Sequence, residues 1–204
     1  TLQNEVGISS SSFGSGVGNP IIRGLGGKRV EILQNSSTVG DASDISPDHA
    51  VASEALLADR IEILRGPATL RFGPGAIGGV VNVIDNRIHT VPFEGVEGAL
   101  ETRYSSNGDA KATLGRIDAG YSGFNLHVDA VTRDSNTISI PGSAHSDAAM
   151  DDEAESNGTM ENSDSRADSF SAGLSWVADD VVIGFSYSKL DSNYGLPPAS
   201  HNHE

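Results

Sequence analysis

The chemically most capable residues in this chain are histidines set beside carboxylates. His201-Asn202-His203-Glu204 puts two imidazoles and a carboxylate within four residues, a donor set able to collect a divalent metal in a loop. The other reading is a loop whose histidines are incidental. Asp48-His49 follows Pro47. Imidazole nitrogen and carboxylate oxygen are donors that tetrahedral zinc takes, and two adjacent ones make half a site, with Asp44 able to orient His49. On the dipeptide alone the simpler role is capping: Asp48 accepts from the first N–H groups of a helix starting near Ala50, and His49 is merely exposed. His127 and Asp129 share one face of an alternating segment, and read as polar lining rather than as a catalytic pair.

Other patterns fail on context. Gly73, Gly75 and Gly78 have dinucleotide-loop spacing, but the run Val80-Val81-Asn82-Val83-Ile84 follows them where a helix is required. Gly26-Gly27-Lys28 lacks the earlier glycine and the hydroxyl residue of a phosphate loop. With no serine elbow and no paired acid site, no enzyme is expected. The acidic stretch Asp147, Asp151, Asp152, Glu153, Glu155, Glu161, Asp164 and Asp168 lacks calcium-loop spacing. It reads as a solvated surface that raises local cation concentration, with His145 able to join a transient site.

These residues sit in a chain of 204 residues with formal net charge −15, a sign that argues against a nucleic-acid partner. The 24 glycines argue against long helices and for turns and close backbone packing. There are no cysteines, so disulfides and thiolate metal sites are excluded. No stretch approaches the roughly 18 apolar residues of a membrane helix, which leaves membrane-spanning strands open. The opening Thr1-Leu2-Gln3-Asn4 reads like the middle of a domain, so a leader and an early segment are expected to precede it.

Two regimes divide near Asn86-Arg87-Ile88. Before it, strands are expected at 29–34, 60–64 and 79–84, with a short helix within 47–58 and a helical turn at 68–72, a small α+β unit. After it, five segments alternate between apolar and polar side chains. Val96, Leu100 and Tyr104 share a face against Glu97, Glu101 and Arg103. Thr113, Ile117 and Tyr121 oppose Arg116 and Asp118. Phe124, Leu126 and Val128 oppose Asn125, His127 and Asp129. Phe170, Leu174 and Trp176 oppose Ser171 and Ser175, and Val181, Ile183, Phe185 and Tyr187 oppose Ser186 and Ser188. A period of two over such lengths is a strand signal, and strands of about ten residues with one apolar face suit a barrel crossing lipid. Tight turns at Ser122-Gly123 and 178–180 contrast with long links at 134–169 and 191–204. That asymmetry puts the tight turns in the periplasm and the long links outside the cell, with a short outer link at 105–109. By alternation alone, a soluble β-sandwich with one wet face is equally compatible.

The first regime carries a family resemblance. Residues 19–30 (NPIIRGLGGKRV), 60–68 (RIEILRGPA) and 72–84 (FGPGAIGGVVNVI) resemble, in combination and order, the plug motifs of bacterial TonB-dependent outer-membrane receptors. They include Arg23, Gly24, Arg65, Gly66, Pro67, Gly78 and Gly79. The resemblance covers about residues 18–88 and implies an α+β plug domain (1–88, lacking its N-terminal part). The antiparallel strands of a partial transmembrane β-barrel then occupy 89–204. Arg23, Arg65 and Arg71 are expected to pair with carboxylates of plug or wall.

Within that superfamily, residues 41–50 (DASDISPDHA) resemble the plug loop of zinc-uptake receptors, and Tyr194-Gly195-Leu196-Pro197-Pro198 resembles the lead-in to their His-rich outer loop. The resemblance implies that Asp48 and His49 contribute to a zinc site at the top of the plug, joined by later strands and loops, and favours the metal reading of His201, His203 and Glu204. It further implies transport of zinc or another divalent cation as cargo, no required cofactor, energy from TonB, and residence among outer-membrane lipid. A haem or ferric-siderophore receptor is the alternative within the superfamily; a secreted or surface β-sandwich binding module is the alternative outside it.

Overall fold

The computed structural model describes residues 5–11, 18–38, 55–143 and 157–197. Thirteen strands occur among them. A short hairpin pairs β1 (Ile8–Ser10) with β2 (Pro20–Ile22). Ile22 and Leu25 then exchange backbone hydrogen bonds of 2.8 and 2.9 Å around Arg23-Gly24, whose φ values are 51° and 80°. Two successive left-handed residues make the tight reversal that Gly24 permits cheaply.

The N-terminal sheet has the order β4-β3-β6-β5, from β3 (Val30–Gln34), β4 (Ser37–Thr38), β5 (Arg60–Leu64) and β6 (Gly79–Ile84). β3 runs parallel to β6, and β5 antiparallel to it. The central strand β6 is buried along nearly its whole length, which is why its sequence is an apolar run rather than an alternation. One face carries Ile22, Val30 and Val81 with Ile61 and Ile63; the other carries Leu33, Ala76 and Val80 with Leu64 and Phe72. Each buried Val or Ile contributes about 1.5–3 kcal/mol. Gly79 has φ 148°, and a Cβ there would meet Ile22 Cδ1 at 2.5 Å and the Leu64 carbonyl at 3.0 Å. The helical turns among the described residues are all 3-10, and they include Ala55–Leu57 within the expected helix and Gly66–Phe72, which extends the expected turn.

The large sheet is an antiparallel meander in the order β13-β12-β9-β8-β7. Its strands are β7 (Gly95–Ser105), β8 (Ala110–Tyr121), β9 (Phe124–Ser135), β12 (Ser165–Ala178) and β13 (Val181–Tyr194). They are longer than the alternation indicates. β9 and β12 reach into the expected 134–169 loop, where β10 (Ile138–Ser143) and β11 (Asn157–Met160) add a small hairpin, and β13 occupies the start of the expected 191–204 loop. Cross-strand pairing continues there through polar pairs such as Ser135–Ser165 (2.8 Å) and Thr132–Asp168 (2.8 Å), which carry no hydrophobic signal.

Polarity is inverted relative to a water-soluble sheet. Leu100 is 81% and Tyr121 79% exposed, and Val96, Phe124, Leu174, Ile183 and Phe185 stand on the same outward face. The opposite face buries Asp118, Asn125, His127, Asp129, Ser171 and Ser175. Apolar side chains out and polar side chains in is the arrangement lipid selects. No helix among the described residues is long and apolar enough to cross a membrane.

Candidate functional site

The two sheets are joined by residues 85–94, and this connection passes over the inner face of the large sheet from one strand to the next. It is anchored first at the N-terminal sheet. Asp85 accepts from Gln34 Nε2 (3.0 Å), Asn35 Nδ2 (2.7 Å) and Arg87 Nε (2.8 Å), and Arg87 Nη2 makes a further short contact. Burial raises the Asp85 pKa, but the hydrogen bonds from Arg87 and Asn35 and the charge of Arg87 outweigh it and hold the carboxyl below its ordinary value.

The connection then passes over β13 at Gly184, where a Cβ would strike Ile88, and over β12 at Gly173, where a Cβ would collide with the Arg87 carbonyl. It ends against β9 and β8. The Phe93 N–H donates to Asn125 Oδ1 (2.9 Å), His89 stacks on Phe93 with centroids 5.9 Å apart, and the Ser122 N–H donates to Glu94 Oε1 (2.9 Å). A cleft of mixed polarity between connection and N-terminal sheet is lined in part by Asn35, Arg60, Ile84, Asn86, Ile88 and Ser186.

Where the connection meets β8 and β9, it completes a cluster of imidazoles and carboxylates. His89 Nε2 lies 2.8 Å from Asp118 Oδ1, and His127 Nδ1 lies 2.7 Å from the same oxygen. His127 Nε2 is 2.7 Å from Asp129 Oδ2, which also accepts the Ser171 hydroxyl. Arg116 Nε reaches Asp118 Oδ2 (3.2 Å), and its Nη1 reaches Asp59 (2.7 Å), tying β8 to the N-terminal sheet. His127 and Asp129 are each only 2% exposed. Asp129 Oδ1 is buried with no hydrogen-bond partner among the described residues, a costly state for a carboxylate oxygen. Chemically, the cluster can hold protons between imidazole and carboxylate, or a cation among donors that converge within 4.8 Å.

Asp48, His49, His201, His203 and Glu204 lie outside the described residues, as do Asp44 and His145. The plug motif residues are described. Arg65 Nη1 donates to the Val6 carbonyl (3.0 Å) rather than to a carboxylate. Arg23 is exposed, and Arg71 is exposed and lies over the Phe72 ring at 5.3 Å, so the expected ion pairs do not form among the described residues. Exposed guanidinium groups are already solvated by water and need no counter-charge. Pro67 is the second residue of the 3-10 turn that Gly66 begins, and the Gly78 N–H donates to the Arg29 carbonyl (2.6 Å).

Reading His127 and Asp129 as plain polar lining overlooks their partners. One signal was present: Asp118 stands four positions before Ser122 and His127 four after Gly123, so a two-residue turn places them directly opposite, as observed. The arrival of His89 had no local signal, because it depends on the path of the connection.

Residues 1–80 match the family model described as TonB-dependent Receptor Plug Domain. The ferric enterobactin receptor PirA of Pseudomonas aeruginosa is 46% identical over 50 residues, 24% of this chain and 6% of that protein, and the ferrienterobactin receptor of Escherichia coli matches to the same extent. Among solved structures, the copper transporter OprC superposes with TM-score 0.77 at 18% identity, covering 96% of this chain and 28% of that one. The FrpB iron transporter of Neisseria meningitidis gives TM-score 0.68 at 16% identity, covering 93% and 28%. The chain thus spans about a quarter of the length of the receptors whose fold it shares. Residues 1–80 thus match the plug domain of TonB-dependent receptors, and the fold of the described residues is the one found in these solved transporters.

Proposed function

We propose that the protein carrying this chain imports a scarce nutrient across the outer membrane using energy from TonB, and that the nutrient is zinc or another divalent cation. The observation that carries the transport reading is the inverted sheet, with lipid-facing residues outside and buried polar residues inside against the plug. A plug held to its wall by an ion pair and hydrogen bonds can shift more easily than one held by an apolar core. The domain division at about residue 88 belongs to the same reading, with the plug before it and barrel strands after it.

The cation reading rests on Asp48 and His49 in a loop resembling that of zinc-uptake receptors, and on His201, His203 and Glu204 at the outer end. Net charge −15 favours cationic cargo. A ferric-siderophore cargo is the second reading, supported by relatives named as ferric enterobactin receptors. Zinc calorimetry on the full-length receptor, wild type against His49→Ala, separates them. A loss of affinity of tenfold or more supports zinc; equal affinities, or saturable binding of a ferric catecholate with no zinc binding, support the second reading. The β-sandwich module is disfavoured, because among the described residues no second sheet covers the outward face.

A further inference from the structure

We propose that His89, Asp118 and His127 form a divalent-cation site, with zinc as the best-matched ion, that clamps the plug-to-barrel connection onto the inner wall. The proposal is independent of the cargo, since none of these residues lies in the plug loop or the outer histidine segment.

Three observations carry it. The first is donor geometry. Two imidazole nitrogens from different elements converge on one carboxylate oxygen, at 2.8 and 2.7 Å. Zinc bonds imidazole nitrogen and carboxylate oxygen at about 2.0–2.2 Å, which in a tetrahedron sets ligand atoms about 3.3 Å apart. An ion entering in place of the shared protons needs each imidazole nitrogen to draw back from the carboxylate oxygen by only about half an ångström, in a donor set whose three atoms already lie within 4.8 Å of one another. Three protein ligands leave a fourth position for water.

The second is the support around the donors. The His127 nitrogen facing away from the cluster is held by Asp129 Oδ2 at 2.7 Å. A metal-bound imidazole ordinarily gives its other N–H to a carboxylate, which fixes the tautomer and raises ligand basicity. Ser171 on β12 holds that carboxylate in turn.

The third is charge. Asp59 and Asp118 share the guanidinium of Arg116 while Asp129 is held by His127 and Ser171, so with neutral imidazoles one fixed cation stands against three carboxylates in these contacts. Asp129 is 2% exposed and its Oδ1 has no partner among the described residues. One divalent cation offsets that excess in a setting where water cannot.

The location gives the site its consequence. Asp118 lies three residues before the end of β8, about 10 Å from the tight turn at 3.3 Å per residue, and so near the periplasmic end of the wall. His89 is the one donor carried by the connection, and its side chain, 21% exposed, is the route of entry. Metal binding there adds a bond between the moving part and the fixed one; release of the metal removes it.

The test uses the full-length receptor in detergent, carrying His49→Ala, His201→Ala and His203→Ala so that the proposed cargo ligands are silent. Zinc is titrated by calorimetry against a competing chelator. The expected result is saturable zinc binding that falls tenfold or more on adding His89→Ala, and about tenfold or more on adding Asp129→Asn, which removes no metal-bonding atom. Zinc-edge X-ray absorption should lose one imidazole with His89→Ala. Folding is checked by heat-modifiable gel mobility, and His89→Gln replaces the alanine variant if that one fails to assemble. Absence of zinc binding in the background receptor, or affinity unchanged by both His89 and Asp129 substitutions, overturns the proposal and leaves a cluster held by protons alone.

Discussion

The backbone carbonyl of Arg87 crosses β12 directly over Gly173, so closely that no side chain fits between them. This contact seats the plug-to-barrel connection on the wall. Gly173→Val should unseat it at a cost of about 1–3 kcal/mol, the usual penalty of overpacking. The measurement is the fraction of receptor showing heat-modifiable mobility after refolding. Gly115→Ala is the control, since a Cβ there meets nothing nearer than Leu100 Cδ1 at 3.9 Å, and it should refold like wild type.

The lipid-facing assignment predicts an asymmetric cost for charge. Leu174 stands outward on β12 and is 60% exposed. Leu174→Arg should cost about 2–4 kcal/mol if it lies near the bilayer midplane, and less toward an interface. Urea titration of the receptor refolded in lipid vesicles reads this directly. A cost below about 0.5 kcal/mol, with Leu174→Ile equally silent, would mean that this face meets water.

Asp85 makes the plug acid-sensitive. Its folded pKa is depressed below the ordinary carboxylate value by Arg87 and Asn35 acting against burial. A depressed folded pKa contributes stability that is fully present above the unfolded pKa and is lost as pH falls through the folded one. Asp85→Asn should therefore lower the urea midpoint at neutral pH, corresponding to a stability loss of about 3–5 kcal/mol if Arg87 is left buried and unpaired. It should also flatten the decline of that midpoint below about pH 4, the ordinary carboxylate range. An acid limb as steep as that of wild type would assign the sensitivity to other carboxylates.

Asp59 and Arg116 link plug to wall through a half-exposed pair at 2.7 Å. A double-mutant cycle with Asp59→Ala and Arg116→Ala should give a coupling of about 0.2–1 kcal/mol that shrinks with added salt. Coupling well above that, unaffected by salt, would mark the pair as a buried lock rather than a surface contact.

Much of this protein is written locally. The period of two in segments such as Phe124 to Arg133 determined both strand and facing, because alternate Cβ atoms point to opposite sides of a sheet. The runs 60–68 and 72–84 determined β5, β6 and the turn between them, through β-branched burial and the breaks at Gly66-Pro67 and Gly73-Pro74. Strand ends were less legible: Ser165 to Asp168 and Asp191 to Tyr194 are mostly polar and lack a clear apolar alternation, and pairing with neighbouring strands makes them extended. The tertiary structure decided which inward polar groups meet. His89 reaches Asp118 because a ten-residue connection crosses the sheet where glycines let it lie flat, a path set by backbone packing between distant segments and invisible to any window along the chain.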